Sequence, residues 1–185
     1  MTKSTRWSVG LAFVPSVVLI GLIIYAAVSG VFETKAQAEP APGFSLEVLA
    51  LGEPSPLIER AGSDGRITLE ELRGTPVVLN FWASWCEYCE AETPMLEARS
   101  KRADGVVFLG VDTKDESADA RAFLREYGVT YPNVSDDDEA TADRYGASAL
   151  PATYFINADG DIVDEIIGEL SADDLEAGLR AAQTG

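Results

Sequence analysis

The feature that most constrains this chain is a pair of cysteines three positions apart, Cys86 and Cys89, the only two in the sequence. Residues 76–82 (PVVLNFW) directly before them form an apolar run typical of a buried strand, and a helical pattern begins at Cys86. A Cys-x-x-Cys in this strand-to-helix context predicts a redox-active pair. The alternative is a purely structural disulfide. We favour redox chemistry, because closing so short a loop removes little entropy from the unfolded chain.

The spacing of the two cysteines gives them different predicted roles. In the first turn of a helix, Cys86 meets unpaired backbone N–H groups and the positive end of the helix dipole, and both favour its thiolate. Residues three apart share a helix face, so Cys89 can reach back to a disulfide bonded at Cys86. We therefore expect Cys86 to be the attacking sulfur and Cys89 the resolving sulfur.

The composition excludes several other chemistries. The chain has no histidine, which rules out Ser-His-Asp and Cys-His catalysis and any imidazole metal site. Two cysteines are too few for a closed zinc site, so we expect neither a metal nor an organic cofactor. A copper-carrying or purely interacting module is the alternative from a different class, and the missing histidine argues against copper. With 31 acidic and 14 basic side chains the chain repels phosphates, so no nucleic-acid partner is expected.

The N-terminal part of the chain differs from the rest. Residues 7–32 carry no charge and are long enough to span a membrane, and Lys3 and Arg6 before them favour a cytoplasmic N-terminus. We expect a single-pass protein of the cell membrane with a cytoplasmic segment at residues 1–8, a transmembrane signal-anchor at 9–32, a linker at 33–42 and an extracytoplasmic domain at 43–185. A signal peptide cleaved after residues 36–38 (AQA) is the alternative, and it exports the same domain.

Strands and helices alternate through the predicted domain. Strands are expected at residues 44–51, 67–68, 76–82, 106–111, 131–134, 153–157 and 161–167. Helices are expected at residues 86–100, 117–127 and 139–145, and from Ser171 onward, where Asp174 stands at capping-box spacing. This order, closing on a hairpin, indicates an α/β fold with a mixed central sheet flanked by helices.

With these motifs in view, residues 40 to about 183 resemble the TlpA/ResA-type thioredoxin-like proteins. The matching stretches are VVLNFWASWCEYCEAETPML, YGVTYP and YGASALPATYFINADGDIV. The resemblance implies a thioredoxin-like fold with an N-terminal β extension and a membrane-anchored thiol–disulfide oxidoreductase of the cell envelope. It also implies a disulfide-containing exported protein as substrate, commonly apocytochrome c during cytochrome c maturation, and a membrane thiol-transfer protein as electron donor. A general reductase or oxidase for other exported proteins is the alternative.

The resemblance also assigns site residues one by one. Leu150 and Pro151 match a loop whose cis-proline faces the cysteines and holds an extended substrate, and an ordinary trans proline is the alternative. Glu92 matches an acidic residue that tunes the cysteines, and a solvated glutamate that favours the helix dipole is the alternative. Asn80 falls where cytoplasmic thioredoxins carry a buried aspartate, and it could equally satisfy a buried hydrogen bond.

Aromatic residues around the cysteines complete the predicted site. We expect Trp85 at the substrate-binding surface and Trp82 in the packing beneath it, with neither acting as a catalytic group. Tyr88 stands between the cysteines where many relatives have proline, which makes this turn less rigid and leaves the redox potential open.

Acidic side chains crowd the start of the predicted active helix. Glu87, Glu90 and Glu92 oppose the help that the helix dipole gives to the Cys86 thiolate. We therefore expect Cys86 to have a higher pKa than in strongly oxidising relatives. A less stabilised dithiol is more reducing, so the sequence favours a reductase over an oxidase.

Overall fold

The computed structural model describes residues 38–102 and 105–184. The predicted cytoplasmic segment and transmembrane signal-anchor lie outside these residues. Within the described part, no helix combines the length and the hydropathy that crossing a membrane requires.

Strands and helices alternate as the sequence predicts. The strands are β1 (Glu39–Pro40), β2 (Ser45–Ala50), β3 (Arg66–Thr68), β4 (Val77–Trp82), β5 (Val107–Thr113), β6 (Asn133–Asp136), β7 (Ala152–Ile156) and β8 (Asp161–Ile167). The helices are α1 (Pro56–Ala61), α2 (Glu87–Ser100), α3 (Ser117–Glu126), α4 (Ala140–Tyr145) and α5 (Ala172–Thr184), with a 3-10 turn at Glu70–Leu72.

The strands of the described part form one mixed sheet in the order β1-β8-β7-β4-β5-β6-β2-β3. Strands β4, β5 and β6 are parallel, and the other neighbours pair antiparallel. Every residue of β4 is buried, because its apolar side chains meet helices or other core groups on both faces of the sheet. The expected α/β fold is confirmed. Its central strand β4 delivers the cysteine pair at its C-terminal end.

The N-terminal strands extend the sheet at both edges. Strand β2 pairs with β6 and β3, and β1 pairs with β8 through Glu39 opposite Ile162 and Pro40 opposite Asp161. The prediction of a linker over the whole of residues 33–42 is therefore wrong at its C-terminal end. A strand of two residues is too short to show the alternation of apolar and polar residues from which strands are predicted. Its proline is tolerated because the strand lies at the edge of the sheet.

Several boundaries also differ from the predicted ones. Helix α1 was not predicted, because six residues beginning with a proline carry too little periodicity. Strand β6 begins at Asn133 and continues to Asp136, past the expected end at Val134. These polar residues stay buried because they are hydrogen-bonded: Asp136 accepts from the backbone N–H groups of Thr141 and Ala142 at the start of α4.

The last helix matches its prediction closely. The backbone N–H of Asp174 donates to Oγ of Ser171 at 3.2 Å, which is the expected cap. Leu175, Leu179 and Ala182 are buried against the sheet face that also packs Leu96 of α2. Helix α5 thus covers the same face as the cysteine-bearing helix.

Candidate active site

Cys86 is the N-cap residue of α2. Its backbone is extended (φ −94°, ψ 106°), and its Sγ accepts a hydrogen bond from the backbone N–H of Cys89 at 3.2 Å. An N-cap position gives a side chain the otherwise unpaired N–H groups of the first turn. A thiolate at Cys86 would receive the same N–H together with the positive end of the helix dipole.

The two sulfurs form a disulfide, with Sγ atoms 2.12 Å and Cα atoms 5.2 Å apart. Cys86 is 6% exposed and Cys89 1% exposed, so Cys86 is the more accessible residue of the two. Both lie in an apolar cluster with Trp82, Ala83 and Phe123. The division into an attacking and a resolving sulfur is compatible with this arrangement and stays a prediction.

Trp82 supports the segment that carries the cysteines. Its indole stacks on Phe123 of α3 with centroids 4.7 Å apart, and its Nε1–H donates to Oδ1 of Asn133 at 3.0 Å. The predicted packing role of Trp82 is thus confirmed. Gly110 on β5 leaves room for this hydrogen bond, since a Cβ there would overlap the Asn133 amide.

The peptide bond between Leu150 and Pro151 is cis, as the family resemblance implied. Leu150 packs against the apolar cluster that contains both cysteines. Directly after Pro151, strand β7 begins and pairs with β4, with Ala152 opposite Phe81. The fold therefore brings this loop to the cysteines, and its contact with substrate stays a prediction.

Glu92 is 2% exposed and lies inside the fold. Its Oε1 accepts from Nδ2 of Asn80 at 2.8 Å, and its Oε2 accepts from the backbone N–H of Leu170 at 2.8 Å. Burial raises the pKa of Glu92 to about 7, against the lowering effect of these two hydrogen bonds, and the nearby charge of Glu169 raises it further. The alternative of a solvated glutamate is wrong.

Asn80 connects Glu92 to the strand that follows the proline loop. Its Nδ2 also donates to Oγ1 of Thr153 on β7 at 3.0 Å. The alternative that Asn80 satisfies a buried hydrogen bond is therefore confirmed, and a role in tuning the cysteines stays a prediction.

The three glutamates predicted to surround Cys86 differ in their exposure to solvent. Glu87 and Glu90 are exposed in the first turn of α2, as expected. Glu92 faces the interior and, with a pKa of about 7, carries only part of a negative charge at neutral pH. The prediction that Glu92 destabilises the Cys86 thiolate as strongly as Glu87 and Glu90 do is therefore wrong.

Trp85 and Tyr88 are the large exposed aromatics beside the cysteines, each 61% exposed. The Nε1–H of Trp85 donates to the carbonyl of Lys114 at 3.1 Å, which fixes one edge of the ring. No described contact tests the predicted role of Trp85 in substrate binding or of Tyr88 in tuning the potential.

The sequence reasoning missed an acidic pair beside the same segment. Asp115 accepts a hydrogen bond from the backbone N–H of Ser84 through Oδ2, and Asp112 at the end of β5 is fully buried. Strand β5 was expected to end at Val111, so Asp112 looked like a loop residue. The signal that could have indicated its burial is that Asp112 directly follows the apolar run at residues 106–111.

Among the residues the structure describes, no group of three or more His, Cys, Asp or Glu is arranged to hold a metal ion. A disulfide with one reachable sulfur, a buried partner sulfur and a carboxyl that titrates near neutrality can exchange thiols for disulfides.

Comparison with known proteins agrees with this chemistry. The family described as the AhpC/TSA family matches residues 38–165. The chain is similar to the thiol-disulfide oxidoreductase ResA of Bacillus subtilis (strain 168), with 33% identity over 154 residues that cover 82% of this chain and 79% of the relative.

Two solved structures are similar as well. One is MTB dsbF in mixed oxidized and reduced forms, with 29% identity, a TM-score of 0.64 and coverage of 76% of this chain and 95% of that one. The other is a secreted Mycobacterium tuberculosis disulfide oxidoreductase homologous to E. coli DsbE, with 27% identity, a TM-score of 0.62 and coverage of 75% and 95%.

Proposed function

Since this chain belongs to the AhpC/TSA family and is a thiol–disulfide oxidoreductase of the ResA type, we propose that it reduces disulfide bonds of exported proteins on the outer side of a cell membrane. The observation that carries the proposal is the placement of Cys86 at the N-cap of α2, with Cys89 and Glu92 buried behind it. The proposed location rests on the uncharged residues 7–32 and the basic residues before them.

The proposed reaction is a dithiol exchange. The Cys86 thiolate attacks a substrate disulfide, and the displaced substrate sulfur takes a proton from water. Cys89 then attacks the mixed disulfide and releases the second substrate thiol, leaving the disulfide that the structure holds. Two electrons pass to the substrate, and a donor dithiol restores the cysteines.

Glu92 is the proposed proton acceptor for Cys89. The two residues are three apart on α2 and both face the interior, which places them on one side of the helix. A carboxyl with a pKa of about 7 is half-ionised at neutral pH, so it can take the Cys89 proton as that sulfur attacks. Asn80 and the Leu170 N–H hold the carboxyl in place.

The reducing direction is supported by charge at the start of α2. Glu87 and Glu90 lie exposed in the first turn of α2, whose N–H groups face Cys86. Their negative charges reduce the stabilisation that the helix dipole gives to a Cys86 thiolate. A thiol that keeps its proton more firmly makes the couple more reducing. We expect a reduction potential nearer to the roughly −270 mV of thioredoxin than to the roughly −120 mV of a strong oxidant.

The substrate proposed first is apocytochrome c, on the similarity to ResA-type proteins. The test is a Cys89→Ser variant of the full chain in its native host, which cannot resolve the mixed disulfide and so retains its substrate on Cys86. Recovery of apocytochromes supports this substrate. Recovery of many other exported proteins contradicts it and favours a general role. The Cys86→Ser, Cys89→Ser double variant is the matched control and should retain nothing.

The proposed location has a separate test. In intact cells, Cys86 of the Cys89→Ser variant should react with a thiol reagent that does not cross membranes. Labelling only after the cells are lysed would place the domain in the cytoplasm and overturn the location.

A further inference from the structure

Asp112 is a buried acid that the exchange mechanism does not use. It is 0% exposed at the C-terminal end of β5, where it pairs with Trp82 of β4 on one side and Ser135 of β6 on the other. Neither of its carboxyl oxygens accepts a hydrogen bond from any described residue. An ionised carboxylate left this way is costly, whereas a protonated carboxyl can act as a donor.

The charged groups around Asp112 lie in the loop after β5, in the loop after β6 and on α3. Burial, the strongest effect, raises the pKa of Asp112 to about 8, and the negative charges of Asp115 and Asp137 raise it further. Contact between the Asp112 and Asp115 carboxyl groups acts in the same direction, and Arg121 on α3 opposes it. Two neighbouring carboxyl groups are more stable with one proton than with none, and burial favours the protonated form of Asp112.

Asp115 in turn holds the segment before Cys86. Its Oδ2 accepts from the backbone N–H of Ser84 at 2.5 Å, and its Oδ1 accepts from the N–H of Glu116 at 2.8 Å. The neighbouring Lys114 carbonyl accepts from the Trp85 indole at 3.1 Å. The loop after β5 therefore accepts hydrogen bonds from both Ser84 and Trp85, the two residues directly before Cys86.

We infer that Asp112 is a positioning residue whose protonated carboxyl donates a hydrogen bond to Asp115 and thereby fixes the Ser84–Trp85 segment that carries Cys86. When Asp112 loses its proton, the donor disappears and two anions face each other. Asp115 is then repelled, and its hold on the Ser84 N–H weakens. This role serves thiol exchange in either direction, so it stands or falls separately from the proposed reductase function.

The test uses the oxidised protein, in which the cysteines do not titrate, and follows nuclear magnetic resonance signals from pH 5 to pH 10. The Asp112 carboxyl carbon is expected to titrate with a midpoint near pH 8, and the Ser84 amide and Trp85 indole signals should shift at the same midpoint. In Asp112→Asn, whose amide donates at every pH, the step at Ser84 should vanish. An Asp112 midpoint below pH 5, or a Ser84 step that survives in Asp112→Asn, overturns the inference.

Asp137→Asn is the matched variant. It removes one negative charge near Asp112 but leaves the contact with Asp115, so both the Asp112 midpoint and the Ser84 step should move to lower pH together. Movement of one without the other contradicts the coupling. The wild-type titration of Asp112 stands by itself if a variant fails to fold.

A functional readout completes the test. The rate at which dithiothreitol reduces the protein, divided by the thiolate fraction of the reagent, should fall severalfold above pH 8 in the wild type. In Asp112→Asn the fall should be smaller over the same range, because only the titration of Glu92 then contributes to it. A merely structural role for Asp112 would lower the rate of the variant at every pH and leave the shape of the profile unchanged.

Discussion

The side-chain amide of Asn80 donates a hydrogen bond to the carboxyl of Glu92 at 2.8 Å, inside the fold, and this contact joins the central strand to the cysteine-bearing helix. The same amide nitrogen reaches Thr153 on β7, two residues after the cis-proline. One amide group therefore connects all three elements of the active site. It also orients the only acid on the buried face of α2 that titrates near neutrality among the described residues.

Replacing Glu92 by glutamine should slow resolution of the mixed disulfide about 10²-fold, because Cys89 loses its proton acceptor. The rate of Cys86 attack should change little, so mixed disulfide should accumulate in a stopped reaction with a peptide disulfide. Glu90→Gln, an exposed change on the same helix, is the control and should resolve normally. Equal slowing of both chemical steps in Glu92→Gln would show that the carboxyl acts through the fold rather than on Cys89.

Glu92 should also make folding stability depend on pH. A carboxyl with a higher pKa in the folded state favours that state below its unfolded pKa, and the advantage is lost as pH rises from 4.5 to about 7. Burial of the charge should cost about 3 kcal/mol at pH 8 relative to pH 4.

Urea unfolding measured at both pH values on wild type and Glu92→Gln checks this. Asp112 titrates in both proteins and cancels from the comparison. The free energy of unfolding of the wild type, taken relative to the variant, should fall by that amount between pH 4 and pH 8. A constant difference would mean that the Glu92 carboxyl titrates near its ordinary value.

An acid in place of Asn80 should move the Glu92 titration upward. Asn80→Asp removes an N–H donor that favours the ionised Glu92 and adds a second carboxyl beside it, and both changes raise the pKa of Glu92. We expect the Glu92 midpoint to rise by about one unit or more, read from its carboxyl carbon resonance. Thr153→Val leaves the Asn80–Glu92 contact in place, so its Glu92 midpoint should stay within a few tenths of the wild-type value.

Most of the elements and the position of Cys86 at the start of a helix could be predicted from the sequence, because both depend on local signals. The run before Cys86 is apolar on both faces, and the helix that follows has a clear start. The cap at Ser171 was equally local. Each of these predictions needed only residues close together in the chain.

The burial of Glu92 and the role of Asp112 depend on distant partners. Glu92 accepts a hydrogen bond from the backbone N–H of Leu170, which is distant in the chain. No pattern in the residues near Glu92 predicts that hydrogen bond. Asp112 is buried because β5 continues beside Trp82, whereas a strand read from apolar residues ends one residue earlier. Polar groups buried by long-range hydrogen bonds are therefore the part of this site that sequence patterns predict least well.

Removing both exposed glutamates at the start of α2 should make the protein more oxidising. In Glu87→Gln, Glu90→Gln the helix dipole acts on the Cys86 thiolate without opposition, so the Cys86 pKa should fall and the reduction potential should rise by on the order of 10–30 mV. Equilibration with glutathione buffers measures the potential, and the effect should shrink in high salt.

Glu59→Gln on α1 is the control for charge alone, since α1 packs beside β3 at the opposite edge of the sheet from β8. It should leave the potential unchanged. A shift of equal size in the control, or a lower potential in the double variant, would remove the charge argument for the reducing direction.

A methyl group at Gly110 should destabilise the support beneath the cysteines. The added Cβ would overlap the amide of Asn133, which cannot yield freely because Oδ1 accepts from the Trp82 indole and Nδ2 donates to the Tyr131 carbonyl. Overpacking together with a strained buried hydrogen bond should cost about 3 kcal/mol in urea unfolding of Gly110→Ala. Asn133→Ala removes the nearest obstructing atoms and leaves the contact with Nε1 of Trp82 at 2.9 Å, so the double variant should lose much less stability than the sum of the two single variants. Additive losses would show that overlap with Asn133 is not the main cause of the destabilisation in Gly110→Ala.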